Sequence, residues 1–488
     1  MRTTVGKSGG TPLCGNPAPS IDSQGANRSS TDPRYLSRRA LIQKGAVAAA
    51  AFAVVPRHVL GGPRHVAASE NIHVAGVGVG GVGHGHLVGV SEQANTKIVA
   101  LCDVDSVYAK RTYDRFAEAR RYRDYREMLA AEGDKIDAVY CGTPDHTHAV
   151  ISIAAIKKGK HVCCVKPLTR TIAEERVLAK AARQAGVATQ VTASSNTTDA
   201  VCRLCEMIWD GAIGDVHEAH VWSNRPLWPQ GMLRPPGQNP IPETLDWDLW
   251  IGPSPMRPFV AEWRDGDLAL HQVKASKRPR PAVYHPWNFR GWWDFGTGAL
   301  GDMGCHHFNH VFKALKLRYP TGITASASKV FDETAPLASI VTYDFPARDG
   351  MPPLRLHWYD GGLKPPRPAE LEQGRELPAE GNMYVGDKGM ILATRIIPEA
   401  KMKAYKLPPK TLKRGSGTWG EWVEAIRGGE PASCNFDWAS ILTEAVLLGN
   451  IAIRADKKLD WDADNMRFTN DESANKYVKE SYRPGWSL

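Results

Sequence analysis

The apolar run at 72–77 stops at Gly78 and passes at once through Val79, Gly80, Gly81, Val82 and Gly83, a spacing of glycines that restricts the chain to few folds. Glycines at these intervals let a strand turn tightly into a helix. They also let the backbone approach a bulky anion, which then rests on the amides of the helix's first turn. An acid, Asp103, closes a second apolar run at 97–102, about 20 residues beyond the last glycine. A carboxylate there can take both hydroxyls of an adenosine ribose and would repel a 2′-phosphate. A glycine run by itself also suits a flexible loop, but strand, turn and acid in register point to a nicotinamide dinucleotide, NAD rather than NADP.

The pattern around this turn extends it into a domain. Short apolar runs at 72–77, 97–102, 136–141, 161–165 and 187–191 alternate with helical periodicity, the signature of a doubly wound parallel sheet over 70–192. Between the last two runs, Thr171 and Glu174 form a candidate capping box, Leu178, Ala181, Ala182 and Ala185 mark a helical face, and Gly186 ends the helix. Beyond a helix at 200–209 the texture changes. Residues 226–291 read as nearly all loop, crowded with Pro, Trp and Arg, and loops of that length are usually functional. From Gly322 onward, alternating runs such as 338–345 and 354–359 predict an open, mainly antiparallel sheet, giving an α+β domain over 193–435. A helix at 438–454, apolar on most sides, is expected to wedge between the domains and to head a terminal segment, 436–488, that packs across both.

A chain of 488 residues is too long for one core and predicts two or three domains. Its charge of +9 suggests a polyanion partner until it is located: residues 1–69 hold nine Lys/Arg against two Asp/Glu, leaving 52 against 50 for the rest. The folded part is nearly neutral, so no nucleic acid is expected. The excess belongs to a leader. Residues 1–36, rich in Gly, Ser, Pro and Thr, are expected to be disordered. Over 37–68, Ser37-Arg38-Arg39 precedes an alanine-rich stretch at 45–55, resembling a twin-arginine export signal with cleavage after Ala68. That stretch has about half of the roughly 20 residues a spanning helix needs, so no anchor is expected after cleavage. Such a route carries folded proteins and suits one that loads a nucleotide before it becomes periplasmic or secreted. Of the nine cysteines, Cys102, Cys141, Cys163 and Cys164 fall in predicted strands and read as core residues. Cys202 and Cys205 have redox-motif spacing but lie on an amphipathic helix with no second pair nearby, which favours packing.

Ligands of such sheets bind beyond the carboxyl ends of the strands. There the chain places Thr143, Pro144 and His148 after one run, and Val165, Lys166 and Pro167 after the next. A lysine facing the nicotinamide could exchange a proton with a substrate hydroxyl; the alternative is a solvated lysine. In the second cluster, glycines lead into a helix on which Asp302, His306 and His310 recur every four residues, placing all three on one face. This suits a proton relay or paired hydrogen bonds to substrate. It also admits a plain helix N-terminus or a metal on the histidines, although without a further ligand cluster no metal is expected. Upstream lie Trp287, Arg290, Trp292, Trp293 and Asp294; indole faces stack on sugar rings while charged groups reach hydroxyls. Arg290, Trp292, Trp293, His307 and His310 are the expected substrate contacts.

With these segments the chain resembles the glucose-fructose oxidoreductase, inositol dehydrogenase and rhizopine-catabolism (Gfo/Idh/MocA) family, in its exported bacterial branch. The likeness covers 72–488 and rests on the glycine turn, Cys102-Asp103-Val104-Asp105, Thr143-Pro144, Lys166-Pro167, 245–250, 292–306 and 482–486. It implies a Rossmann domain followed by an α/β domain whose sheet shapes a sugar site and often mediates oligomers, here a homodimer or tetramer. It also implies that Lys166, Asp302 and His306 act at the substrate. Val165 stands where the family has glutamate, Asn309 where many members have aspartate, and Thr192-Ala193-Ser194 in place of Gly-Asn-Gln. The expected activity is NAD-dependent oxidation of a secondary hydroxyl of a sugar, polyol or glycoside, with a tightly held, recycled cofactor. Two rivals stand beside it: a glycoside hydrolase working by oxidation, elimination, hydration and re-reduction, and an inactive carbohydrate-binding protein.

Overall fold

β1 (Ile72–Val77), buried at five of its six positions, lies inside a six-stranded parallel sheet. Its companions are β2 (Thr96–Cys102), β3 (Arg120–Tyr122), β4 (Ala138–Cys141), β5 (His161–Cys164) and β6 (Thr189–Val191), in the order β3-β2-β1-β4-β5-β6. The computed structural model describes residues 70–267, 269–275 and 282–488; the expected leader at 1–36 and signal at 37–68 lie outside them. Near-continuous apolar strands suit a sheet covered on both faces. The strand order reverses between β1 and β4, which opens a crevice beyond their carboxyl ends. β3 escapes sequence reading because three residues, Arg-Arg-Tyr, at a sheet edge carry no alternation. Thr171 and Glu174 do form the capping box of helix Ile172–Ala185, and Gly186 closes it at φ 63°. Its buried face runs through Ile172, Glu175, Leu178, Ala179 and Ala182, whereas Ala185 is exposed, so the expected stripe is rotated toward Ala179.

The second sheet has nine strands in the order β13-β12-β11-β7-β10-β9-β8-β14-β15. They are β7 (Val216–Trp222), β8 (Gly322–Ala327), β9 (Ser339–Phe345), β10 (Leu354–Tyr359), β11 (Gly381–Gly386), β12 (Gly389–Leu392), β13 (Arg395–Ile397), β14 (Leu459–Asp462) and β15 (Arg467–Phe468). All neighbours pair antiparallel except β7 and β10, which are parallel. The sheet therefore begins at Val216 and not after Gly322. The helix Phe436–Ala455 is buried along most of its length, between helix Ile172–Ala185 of the first domain and helix Gly298–Ala314, β8 and β9 of the second. Its apolar length meets the criterion for a membrane span, but 89% of that window is inside the protein, as in a core helix. Among the described residues of 226–291, the helical segments are Trp247–Ile251, Ala269–Ala275 and a 3₁₀ turn, Asn288–Gly291. They are held by a cluster that includes Trp247, Trp250, Tyr284, Trp292 and Phe295. The described cysteines, Cys202 and Cys205 among them, are buried free thiols.

Candidate active site

A cavity of about 730 Å³ occupies the crevice and is lined by both domains, within the range of about 300–1,000 Å³ for ligand clefts. Gly78, Gly80, Gly81 and Val82 line its floor. Gly78 has φ +72°, and a Cβ there would lie 2.6 Å from the Thr143 amide nitrogen, so only glycine lets β1 turn beneath the loop after β4. At Gly80 a Cβ would lie 2.2 Å from the Tyr108 ring, which leans over the turn. Helix Val82–Ser91 starts at Gly81 without a side-chain cap; of its first-turn amides, that of Gly83 donates to the Gly80 carbonyl at 2.9 Å. Val79 and Gly83 do not line it: Val79 is core, and Gly83 is where the helix start meets the Gly78 carbonyl.

Asp103 is buried at the end of β2. Its Oδ2 accepts from the amides of Val79 (2.8 Å) and Gly80 (3.0 Å), and its Oδ1 from that of Asp105 (3.0 Å). Burial raises its pKa against these amides. The acid thus braces the glycine turn, and with three of the roughly four bonds a carboxylate can accept already taken, one remains to it at the cavity wall. An uncapped helix start, a glycine floor and a braced carboxylate together fit a dinucleotide. Thr143 and Pro144 line the next wall. His148 does not reach it: its ring is wholly buried and bridges the carbonyls of Thr143 and Pro167, each 2.8 Å away. It ties the loops after β4 and β5 together and is not a cofactor contact.

Lys166 donates through Nζ to Asp302 Oδ1 (2.5 Å) and to the Asp302 carbonyl (2.6 Å). Arg290 Nε donates to the same Oδ1 at 2.9 Å. Lys166 and Asp302 are each 14% exposed at the side chain, so this pair is largely desolvated. Burial opposes ionisation of Asp302, but the two cations outweigh it and hold the carboxyl well below its usual range. One turn further along the helix, His306 Nδ1 meets the Ala193 carbonyl, with Ser194 Oγ at 3.4 Å. A carbonyl can only accept, so Nδ1 carries the proton and Nε2 keeps its lone pair. Burial first, then the charge of Lys166, lowers the His306 pKa to about 4.

The structure corrects five expectations around this core. His310 does not share the cavity face: each four-residue step advances about 40° around a helix, so it turns away and meets Asn382 Nδ2 at 2.7 Å. His307 points to Glu380 at 3.8 Å. Trp292 is wholly buried, donating to the Val283 carbonyl, and Trp293 donates to the Phe331 carbonyl with Arg454 over its ring. None of the four lines the cavity, and neither does His148. The indoles that do are Trp250, Trp287 and, from the tail, Trp486. Trp287 lies under the Arg290 guanidinium, 4.1 Å from its ring centre. Sequence reading missed Tyr108, Trp250 and His285. His285 Nε2 meets Asp105 Oδ2 at 2.9 Å, Trp250 Nε1 donates to His285 Nδ1 at 3.0 Å, and Tyr108 packs edge-on against His285. Only the length of the loop at 226–291 hinted at such a latch. Val165 and Thr192 line the cavity, while Asn309 ties the loop after β6 by donating to the Ser194 carbonyl at 2.7 Å.

A Rossmann nucleotide domain, closed over by a domain built on an open sheet that delivers an acid and a histidine to the crevice, defines a class of nicotinamide-dependent oxidoreductase. Residues 72–193 match the family described as "Oxidoreductase family, NAD-binding Rossmann fold", and 233–335 match its "C-terminal alpha/beta domain". Both segments match one family, Gfo/Idh/MocA. It is similar to a D-apiose dehydrogenase from Paraburkholderia graminis, 32% identical over 138 residues, which are 28% of this chain and 36% of that protein. The match thus spans little more than a third of that relative. Among solved structures, the WlbA dehydrogenase from Bordetella pertussis, in complex with NADH and UDP-GlcNAcA, has a TM-score of 0.54 at 15% identity, covering 80% of this chain and 99% of that one. The aldose-aldose oxidoreductase from Caulobacter crescentus, complexed with glycerol, has a TM-score of 0.51 at 16% identity, covering 80% and 100%. At these identities the likeness is one of fold.

Proposed function

We propose that the protein is an NAD-dependent oxidoreductase acting on a secondary hydroxyl of a sugar, polyol or glycoside. The observation that carries this reading is the single cavity shared by the glycine turn and the Lys166–Asp302–His306 group. The names of its relatives, a D-apiose dehydrogenase and an aldose-aldose oxidoreductase, support a polyhydroxylated substrate. The Asp103 carboxylate supports NAD over NADP by charge. Bound in the cradle, the nicotinamide supplies a hydride acceptor. His306 Nε2 takes the hydroxyl proton. Lys166, oriented by Asp302, donates to the substrate oxygen, and Arg290 with Trp287 forms the wall against which a ring packs.

The latch of Tyr108, His285 and Asp105 over the glycine turn favours a cofactor that stays bound while it is reduced and reoxidised. That behaviour fits the second reading, a redox-type glycoside hydrolase. The proposal includes export by the twin-arginine route in the folded state and assembly as a homo-oligomer. Mass spectrometry of the cofactor released from purified protein, with product analysis on a panel of free sugars and nitrophenyl glycosides, tests it. A keto sugar or stoichiometric NADH supports net oxidation. Phenol release without NADH moves the assignment to hydrolysis, and a protein that contains and accepts no nucleotide overturns both.

A further inference from the structure

Away from the active site, on the outer face of the second sheet, β7 and β10 run parallel and bring Glu218, His220 and His357 together. Their nearest ligand atoms all lie within 4.8 Å of one another. His357 Nε2 is 3.0 Å and His220 Nε2 3.4 Å from Glu218 Oε1. Ligands about 2.0–2.1 Å from a tetrahedral zinc lie roughly 3.3 Å apart, so the two separations from Glu218 match two edges of such a site. The other ring nitrogens are already engaged. His220 Nδ1 meets the Tyr359 hydroxyl at 3.2 Å, and His357 Nδ1 meets Thr342 Oγ1 at 2.9 Å. Zinc-bound histidines are fixed in this way, by an outer group on the second nitrogen. Both Nε2 atoms then converge on one carboxylate, from rings stacked 5.1 Å apart.

A simpler arrangement would have both imidazoles hydrogen-bonded to Glu218. It leaves a group unserved: His357 Nε2 is buried without a hydrogen-bond partner, although Glu218 Oε1 is close.

From this geometry we infer that Glu218, His220 and His357 form a binding site for a divalent transition metal, zinc by its nitrogen and oxygen ligands, with a fourth position open beside the partly exposed Glu218. The ion would join strands whose ligands are separated by most of the second domain's sequence, and it takes no part in the reaction at Lys166 and His306.

The full chain, stripped with EDTA and then dialysed against ZnCl₂, is expected to retain one zinc per chain by plasma mass spectrometry, with a rise in thermal midpoint. Co²⁺ should give the intense visible bands of a tetrahedral site. H220Q and H357Q should lose the bound metal and the thermal rise; H306Q should keep both. Glu218 is 37% exposed at its side chain, so E218Q provides a variant that folds if a histidine variant does not, and it too should lose retention. No zinc retained by the wild-type chain, or retention unchanged in H220Q, H357Q and E218Q, overturns the assignment.

Discussion

Asp302→Asn keeps the shape of the side chain and removes the charge shared by Lys166 and Arg290. Two charge-assisted bonds are involved, at 2.5 and 2.9 Å, and such bonds are worth about 1.5–3 kcal/mol each. The variant also leaves two cations facing each other in a site where Lys166 is 14% and Arg290 13% exposed. Breaking a buried pair from one side typically costs about 3–5 kcal/mol, and that is the loss expected here. At about 2–4 °C per kcal/mol for a large domain, the thermal midpoint should fall on the order of 10 °C. Urea unfolding followed by tryptophan fluorescence measures it, and K166M with the double variant completes a cycle. The two changes should be strongly sub-additive, because the second removes a charge already left unpaired. The contribution also depends on pH. Asp302 has a depressed native pKa, so its stabilisation is present above the unfolded value of about 4 and is lost as pH falls below that toward the native one. The gap between wild type and D302N should therefore shrink in acid. A change within about 0.5 kcal/mol at neutral pH, or additive single variants, would refute the paired-charge account.

H306Q should lower kcat/KM by roughly 10²–10⁴-fold, and the wild-type profile should be flat at neutral pH and fall only below about pH 4, where His306 gains a proton. K166M should move that acid limb upward, since the lysine charge contributes to the depression; a limb centred near 6.5 in the wild type counts against His306 as the proton acceptor. D103S frees the amides of Val79 and Gly80 and removes the charge that repels a 2′-phosphate, so calorimetry should show weaker NAD binding and a smaller preference over NADP. Equal NAD affinity in D103S would mean that the carboxylate serves the turn alone. H285Q cuts the contact with Asp105 and should speed loss of cofactor on gel filtration; unchanged retention would remove the latch from the account.

The features legible in the sequence are those that the backbone imposes over a few residues. The glycine turn, the capping box at Thr171 and the placement of Lys166, Asp302 and His306 after strands or on one helix face follow from local geometry. What escaped depends on partners distant in sequence. Trp287 and Trp292 are five residues apart and chemically identical, yet one lines the cavity and the other donates to Val283, a choice set by the packing of 245–295. His148 looked like a cofactor contact because it follows Thr143-Pro144, but both its nitrogens are taken by loop carbonyls. β7 went unread because His217 on one face and Glu218 and His220 on the other leave it no clean apolar alternation, and the strand is intelligible only beside β10.

The same distinction separates the two candidate proton acceptors. Lys166 and His306 are equally plausible from position alone. In the folded protein two of the three N–H directions of Lys166 are committed to Asp302, and deprotonating it would leave that carboxylate with Arg290 only. His306 has the opposite disposition: the Ala193 carbonyl fixes its proton on Nδ1, while burial and the neighbouring lysine keep Nε2 free of one at neutral pH. An imidazolium formed there would be near the ionised Asp302, which favours the protonated product more than the resting ring. The lysine therefore orients and polarises while the histidine accepts, and the charge that adds to burial in keeping His306 neutral is the one Asp302 holds in place.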